Sequence, residues 1–225
     1  TDNQQPTTDN RQPTTDNRQP TTDNRQQTTD NRQPTTDNRQ PTTDNRQQKM
    51  NQTTNSILMI RPVAFRMNEQ TAVNNYYQKV LENTTPSTVN AKAQNEFDAF
   101  VEKLRKVGVN VIVVEDTLDP DTPDSIFPNN WISFHENGDV TLYPMFAENR
   151  RAERREDILD ILEDNGFAIS EIMDYTSAEE DGFFLEGTGS IVLDRDNGKA
   201  YCALSPRADE ELFIEFCEDF EYNPV

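Results

Sequence analysis

Hydrophobic side chains are absent from the first 48 residues, apart from proline, and after Met50 the first apolar run begins abruptly at residue 57. Ile57-Leu58-Met59-Ile60 predicts a short buried strand, stopped by Pro62, which cannot donate to a central ladder. A helix is expected over Thr71 to Asn83. A second is expected over Val89 to Val107, where Phe97, Phe100, Val101, Leu104 and Val107 recur three and four apart and Gly108 supplies the stop. The β-branched run Val109 to Val114 predicts a strand buried on both faces. After an acidic, proline-rich loop from Glu115 to Pro128, Trp131 to His135 and Val140 to Tyr143 flank an Asn-Gly turn and predict a hairpin. The remaining pattern predicts a helix over Ala152 to Asp164 and a strand over Phe167 to Met173. A second hairpin (Ser190 to Asp194 with Ala200 to Leu204) and a last helix over Ala208 to Phe220 complete it. This order of single strands, hairpins and helices is α/β or α+β and lacks the strict alternation of a doubly wound sheet.

The polar leader is a heptapeptide array. Thr7 to Pro13 reads TTDNRQP and recurs from Thr14, Thr21, Thr28, Thr35 and Thr42, with Gln27 and Gln48 in place of the final proline. Its period of seven is that of a coiled coil, but no a or d position is apolar, which excludes one, and its composition predicts disorder. The expected division is therefore a disordered repeat tail over residues 1–49 and one folded domain over residues 50–225, with Met50 read as the natural start. The chain stops at Asn223-Pro224-Val225 directly after a helix, where earlier helices precede strands, so a C-terminal truncation is expected.

Charge narrows the function classes. The net charge is −20, and the array contributes almost none of it, having six arginines against seven aspartates. An acidic folded domain repels nucleic acid and anionic lipid and attracts a cationic or zwitterionic small molecule. No run of 18 apolar residues and no signal-peptide pattern is present, and Cys202, Cys217 and the single histidine, His135, form no metal-ligand spacing. A cytoplasmic protein with no cofactor or metal is expected; its oligomeric state is not legible.

Two polar segments carry the candidate chemistry: Pro123-Asp124-Ser125-Ile126-Phe127-Pro128-Asn129-Asn130-Trp131 and Leu185-Glu186-Gly187-Thr188-Gly189-Ser190. The second is a poor phosphate loop, lacking the third glycine and the lysine. Together with Met59 to Phe65, Asn149 to Arg155 and Leu204 to Arg207, they resemble the guanidino-group-modifying superfamily of arginine deiminases, amidinotransferases and dimethylarginine hydrolases. The likeness is greatest to its citrulline utilisation hydrolases. It covers residues 50–225 and implies part of a five-bladed α/β propeller built of ββαβ modules, about three modules in length.

The resemblance implies a small-molecule substrate, citrulline or an arginine-like amino acid, attacked by a cysteine thiolate with a histidine as acid and base. It assigns Glu186 to the substrate nitrogens and to orienting the histidine, Asp124 to the opening of the substrate loop, Phe127 to the apolar wall and Arg207 to the substrate carboxylate. One arginine of Arg150 to Arg155 is a further carboxylate candidate. Asn130 stands where guanidinium-cleaving relatives carry an aspartate, and a neutral amide suits a ureido group, so citrulline is favoured over arginine or methylarginine. The nucleophile and the catalytic histidine match no position here: His135, Cys202 and Cys217 read as structural. A truncated, non-catalytic remnant is the alternative to an enzyme.

Overall fold

The computed structural model describes residues 51–73, 75 and 84–225, all within one compact unit, Asn45–Val225. The repeat array, Met50 and most of the helix expected over Thr71 to Asn83 lie outside the described residues.

The first sheet pairs β1 (Ser56–Arg61) in parallel with β2 (Asn110–Glu115), in the register Ile57 with Val111 and Ile60 with Val114. A short helix, α1 (Glu69–Ala72), follows β1 and is capped by the Asn68 side chain. The crossover to β2 is α2 (Pro86–Lys106), which starts earlier than its apolar pattern. Thr85 caps its N-terminus and Pro86 sits at the first turn, where a missing N–H costs nothing. Three basic residues, Lys103, Arg105 and Lys106, complement the dipole at its other end. Phe97 and Val101 bury against Val111, but Phe100 is 52% and Val107 is 77% exposed. The stripe facing this two-stranded sheet is narrower than the periodicity predicts. Only Val111 and Val114 of β2 are buried, so that strand is not covered on both faces as expected.

The second sheet joins the hairpin of β3 (Ile132–Phe134) and β4 (Val140–Leu142) to a parallel strand, β5 (Ile172–Asp174). The helix expected over Ala152 to Asp164 begins only at Asp157, as α4 (Asp157–Asp164), and a separate turn of helix, α3 (Glu148–Arg151), precedes it. In the segment between the two helices Arg154 pairs with Glu179 at 2.6 Å and Arg155 donates to the carbonyl of Glu115 at 2.8 Å. The strand expected from Phe167 is also shorter, because β4 offers it only three partners. Phe167 instead packs edge-on against Phe134.

The third sheet repeats this plan. After the one-turn helix α5 (Gly187–Ser190), β6 (Ile191–Asp194) and β7 (Lys199–Cys202) form a hairpin. Then α6 (Glu210–Asp219) returns the chain to β8 (Asn223–Pro224), parallel to β7. The last helix is therefore followed by a strand, contrary to the sequence expectation, and the step from α6 to the chain end matches the earlier helix-to-strand steps. Each of the last two sheets is a ββαβ unit. The buried clusters do not follow the sheets one for one: Phe97, Val101 and Val111 form the first, Ile60 and Val114 of the first sheet join Trp131, Ile158 and Leu162 in the second, and Leu212, Phe213 and Phe216 pack with Ile191 and Leu193 in the third. The protein is thus a mixed α/β assembly of small sheets, and no helix among the described residues is long and apolar enough to cross a membrane.

Candidate active site

The two motif segments meet where a tight turn at Pro128–Asn130 stacks on α5. Glycine makes the approach possible. A Cβ on Gly187 would lie 2.5 Å from the Asn129 carbonyl, and one on Gly189 only 2.1 Å from the Asn130 side-chain nitrogen. Thr188 fastens the contact by donating to the Asn129 carbonyl at 3.2 Å and accepting from the Asn129 amide at 3.1 Å.

Glu186 is the centre of this junction, with a side chain 2% exposed. Arg207 donates from one nitrogen to both its oxygens at 3.1 Å, Asn130 donates to Oε2 at 3.4 Å, and the backbone N–H of Phe146 donates to Oε1 at 3.2 Å. A buried carboxylate needs such partners, since leaving it unpaired costs several kcal/mol, roughly 3–5 by mutational precedent. Asp124 forms a second buried acidic point. It accepts from Asn68 at 2.8 Å and from the Thr71 hydroxyl at 3.1 Å. Phe127, on the same loop as Asp124, is 46% exposed and edge-on to Phe65 with ring centroids 6.5 Å apart.

The structure thus brings Glu186, Asn130 and Arg207 into contact and holds Asp124 on the same loop as Phe127. It does not offer an arginine from Arg150 to Arg155 for a ligand carboxylate. Arg150 is buried, paired with Glu153 at 2.9 Å, and donates to the carbonyls of Phe127 at 3.0 Å and Asp124 at 3.4 Å. Arg151 and Arg154 share Glu179, and Arg155 pairs with Asp157. Arg150 therefore shapes the loop from beneath. Burial pushes the Glu153 carboxyl up to about 7, against the opposing pull of Arg150. At the loop's start, Asp116 takes hydrogen bonds from Ser125 at 2.5 Å and Thr122 at 3.3 Å.

Sequence reasoning missed Asn68, Thr71, Asp116, Arg150 as a loop support, and Glu153. Their signal was weak. Asn68 caps a helix, which explains it locally without reference to Asp124.

His135 and the two thiols sit apart in the third core. The His135 ring stacks on Phe220 with centroids 4.2 Å apart, and a guanidinium nitrogen of Arg195 lies 3.2 Å from Nδ1. Arginine can only donate, so Nδ1 accepts and the proton sits on Nε2, shared with the Ser133 and Thr141 hydroxyls at 3.2 Å. Burial, then the Arg195 charge, lowers this imidazole to about 3. Burial raises the half-buried Cys202 thiol and pushes the buried Cys217 thiol up to about 11. A neutral, locked imidazole and two protonated thiols do not make an activated nucleophile.

Solved structures share this architecture. The N-terminal domain of ArgZ bound to substrate, described as an arginine dihydrolase from the ornithine–ammonia cycle in cyanobacteria, aligns with a TM-score of 0.54. Its identity is 18% over 76% of this chain and 56% of that one. DDAH from Pseudomonas aeruginosa complexed with citrulline aligns with a TM-score of 0.52 at 16% identity, over 76% of this chain and 59% of that one. At these identities the likeness is one of fold, and the chain spans little more than half the length of these solved relatives. No curated protein matches the sequence. The sequence signature described as N,N dimethylarginine dimethylhydrolase, eukaryotic, matches residues 61–225, which cover both motif segments and Arg207. The chain belongs to that family of enzymes, within the guanidino-group-modifying superfamily.

Proposed function

We propose that this chain carries the substrate-holding part of a thiol-dependent hydrolase that cleaves the ureido group of citrulline to ornithine, ammonia and carbon dioxide. The observation that supports this reading is the neutral amide of Asn130 beside the buried Glu186 carboxylate at 3.4 Å. An aspartate there would set two carboxylates side by side, and that pair is relieved by a cation such as a guanidinium. An amide next to one carboxylate can instead both donate and accept, as a ureido C=O and NH2 require. In this reading Glu186 takes the head-group nitrogens, Asn130 the ureido oxygen, Asp124 and Phe127 form the entry loop and wall, and Arg207 takes the substrate carboxylate. The attacking thiolate and the histidine acid–base group are assigned to no residue of this chain. Two ββαβ sheets and one βαβ sheet support reading the fold as part of a five-bladed propeller; a solved structure of the protein with any other number of blades would overturn that. Two free thiols and the acidic surface accord with a cytoplasmic protein working on a small zwitterion.

The family description itself favours a second reading, with arginine or a methylated arginine as substrate. Calorimetric titration of the chain with L-citrulline, L-arginine and N,N-dimethylarginine separates the two. Citrulline should bind at least about tenfold more tightly than either cation, and Asn130→Asp should invert that order. Equal affinities, with no inversion in the variant, sink the citrulline assignment. Absence of binding by all three supports a non-catalytic remnant.

A further inference from the structure

The loop from Asp124 to Phe127 is fastened at three points. The Asp124 side chain accepts from Asn68 and Thr71, and the Ser125 hydroxyl donates to Asp116, but both ties end before the turn that carries Asn130. The third tie reaches it. Nη2 of Arg150 donates to the Asp124 carbonyl at 3.4 Å and to the Phe127 carbonyl at 3.0 Å, and the Phe127 carbonyl also accepts from the Asn130 N–H at 3.3 Å. Phe127 offers that turn no side-chain cap, so the guanidinium supplies the charged partner at its start. Arg150 is in turn aimed by Glu153. Its Nε and Nη2 each meet one Glu153 oxygen at 2.9 Å, and the two side chains are 5% and 1% exposed.

We infer that Glu153 is a positioning residue for Asn130, acting through Arg150 on the carbonyls of Asp124 and Phe127. This rests on the reading that gives Asn130 the ureido oxygen of the substrate. A two-point pair fixes the plane of a guanidinium as well as its place, and Nη2, which takes part in the pair, is the atom that holds the loop. Without Glu153 the guanidinium answers to the other acids whose charge reaches it, Asp124 and Glu186, and the Phe127 carbonyl loses its charged partner. Asn130 follows, because its N–H hangs on that carbonyl. Its side-chain amide reaches Glu186 at 3.4 Å, long for a hydrogen bond, so a small shift of the turn breaks the contact. Stability alone does not call for such a pair, since apolar side chains of similar volume serve a buried site as well. The direction of the Arg150 donors toward two loop carbonyls is what the charges add.

The test uses the 225-residue chain at pH 8, above the value of about 7 to which burial pushes the Glu153 carboxyl. In 15N NMR of the unaltered protein the two Arg150 Nη groups should give separate signals, because the pair stops rotation about the Cζ–Nε bond. One averaged signal overturns the inference without any variant. The double variant Arg150→Met with Glu153→Leu then removes both charges while keeping an apolar filling. A merely structural pair predicts a protein like the parent. Positioning predicts a thermal midpoint within about 5 °C of the parent, but exchange of the Phe127 and Asn130 amides at least about tenfold faster, with those of Val140 and Phe213 unchanged. It also predicts that the calorimetric preference for L-citrulline over L-arginine falls from about tenfold to less than about threefold. Parent-like exchange in the double variant, or fast exchange with the preference intact, sinks the positioning role and leaves the citrulline reading standing. Faster exchange with citrulline bound by neither protein supports the positioning of Asn130 and sinks the citrulline reading. If the double variant does not fold, the Arg150 signals of the unaltered protein decide.

Discussion

Asn68 donates its side-chain amide to the Asp124 carboxylate across 2.8 Å, tying the start of α1 to a loop 56 residues away. Both residues are buried, and Asn68 also exchanges amide hydrogen bonds with Asn149, so this one side chain joins three segments. Asn68→Asp would place two carboxylates in hydrogen-bond contact without a cation between them. We expect a loss of about 3 kcal/mol in urea denaturation at pH 7, partly recovered at pH 5 as one carboxyl takes a proton. An unchanged midpoint would show that Asp124 does not depend on this partner.

Gly189 has no positive-φ demand; its small size is what the Asn130 side chain requires. Gly189→Ala should therefore leave the fold intact, since alanine favours a helical turn, while moving the Asn130 amide off Glu186. Citrulline affinity is expected to drop by about tenfold with the thermal midpoint within about 2 °C of the parent. A large fall in the midpoint instead would mean that the turn at Pro128–Asn130 cannot adjust.

His135 is neutral in the folded chain down to about 3, against an ordinary value of 6.5. Between those limits the unfolded chain binds a proton that the native chain does not. Stability is then present above pH 6.5 and is lost as pH falls toward 3. The loss at its fullest is on the order of 5 kcal/mol for a shift of this size. The acid limb of a stability-versus-pH curve should flatten in His135→Gln; an identical limb would assign acid sensitivity to the carboxylates.

Phe97 and Phe100 share the apolar pattern of α2 but differ in burial, 5% against 52% exposed. Phe97→Ala should cost about 3 kcal/mol or more, and Phe100→Ala less than about 1 kcal/mol. Equal losses would indicate that α2 presents a wider face to the protein than Phe97 and Val101.

Much of the architecture was legible because it is set locally. The Asn137-Gly138 and Asn197-Gly198 turns fix the two hairpins, and the proline, cap and glycine around α2 fix its ends. The motif segments were legible too, and the contact of Asn130 with Glu186 joins residues drawn one from each. Less local decisions were not. Asn223-Pro224 has poor strand propensity and becomes a strand because β7 presents it a parallel edge. The helix expected over Ala152 to Asp164 starts only at Asp157, and in the segment before it Arg154 bonds to Glu179 and Arg155 to the Glu115 carbonyl.

The sequence by itself determined the mixed α/β class, the hairpins, the acidic character and the presence of Asp124, Asn130, Glu186 and Arg207 in motif positions. The tertiary structure decided how those groups are paired. It set Arg207 on Glu186, placed Arg150 against the carbonyls of the Asp124–Phe127 loop, and locked His135 as a neutral ring. The physical reason is that charge pairing in a buried site depends on which side chains share a desolvated volume. Residues 20 to 60 positions apart enter that volume only when separate sheets and loops pack together.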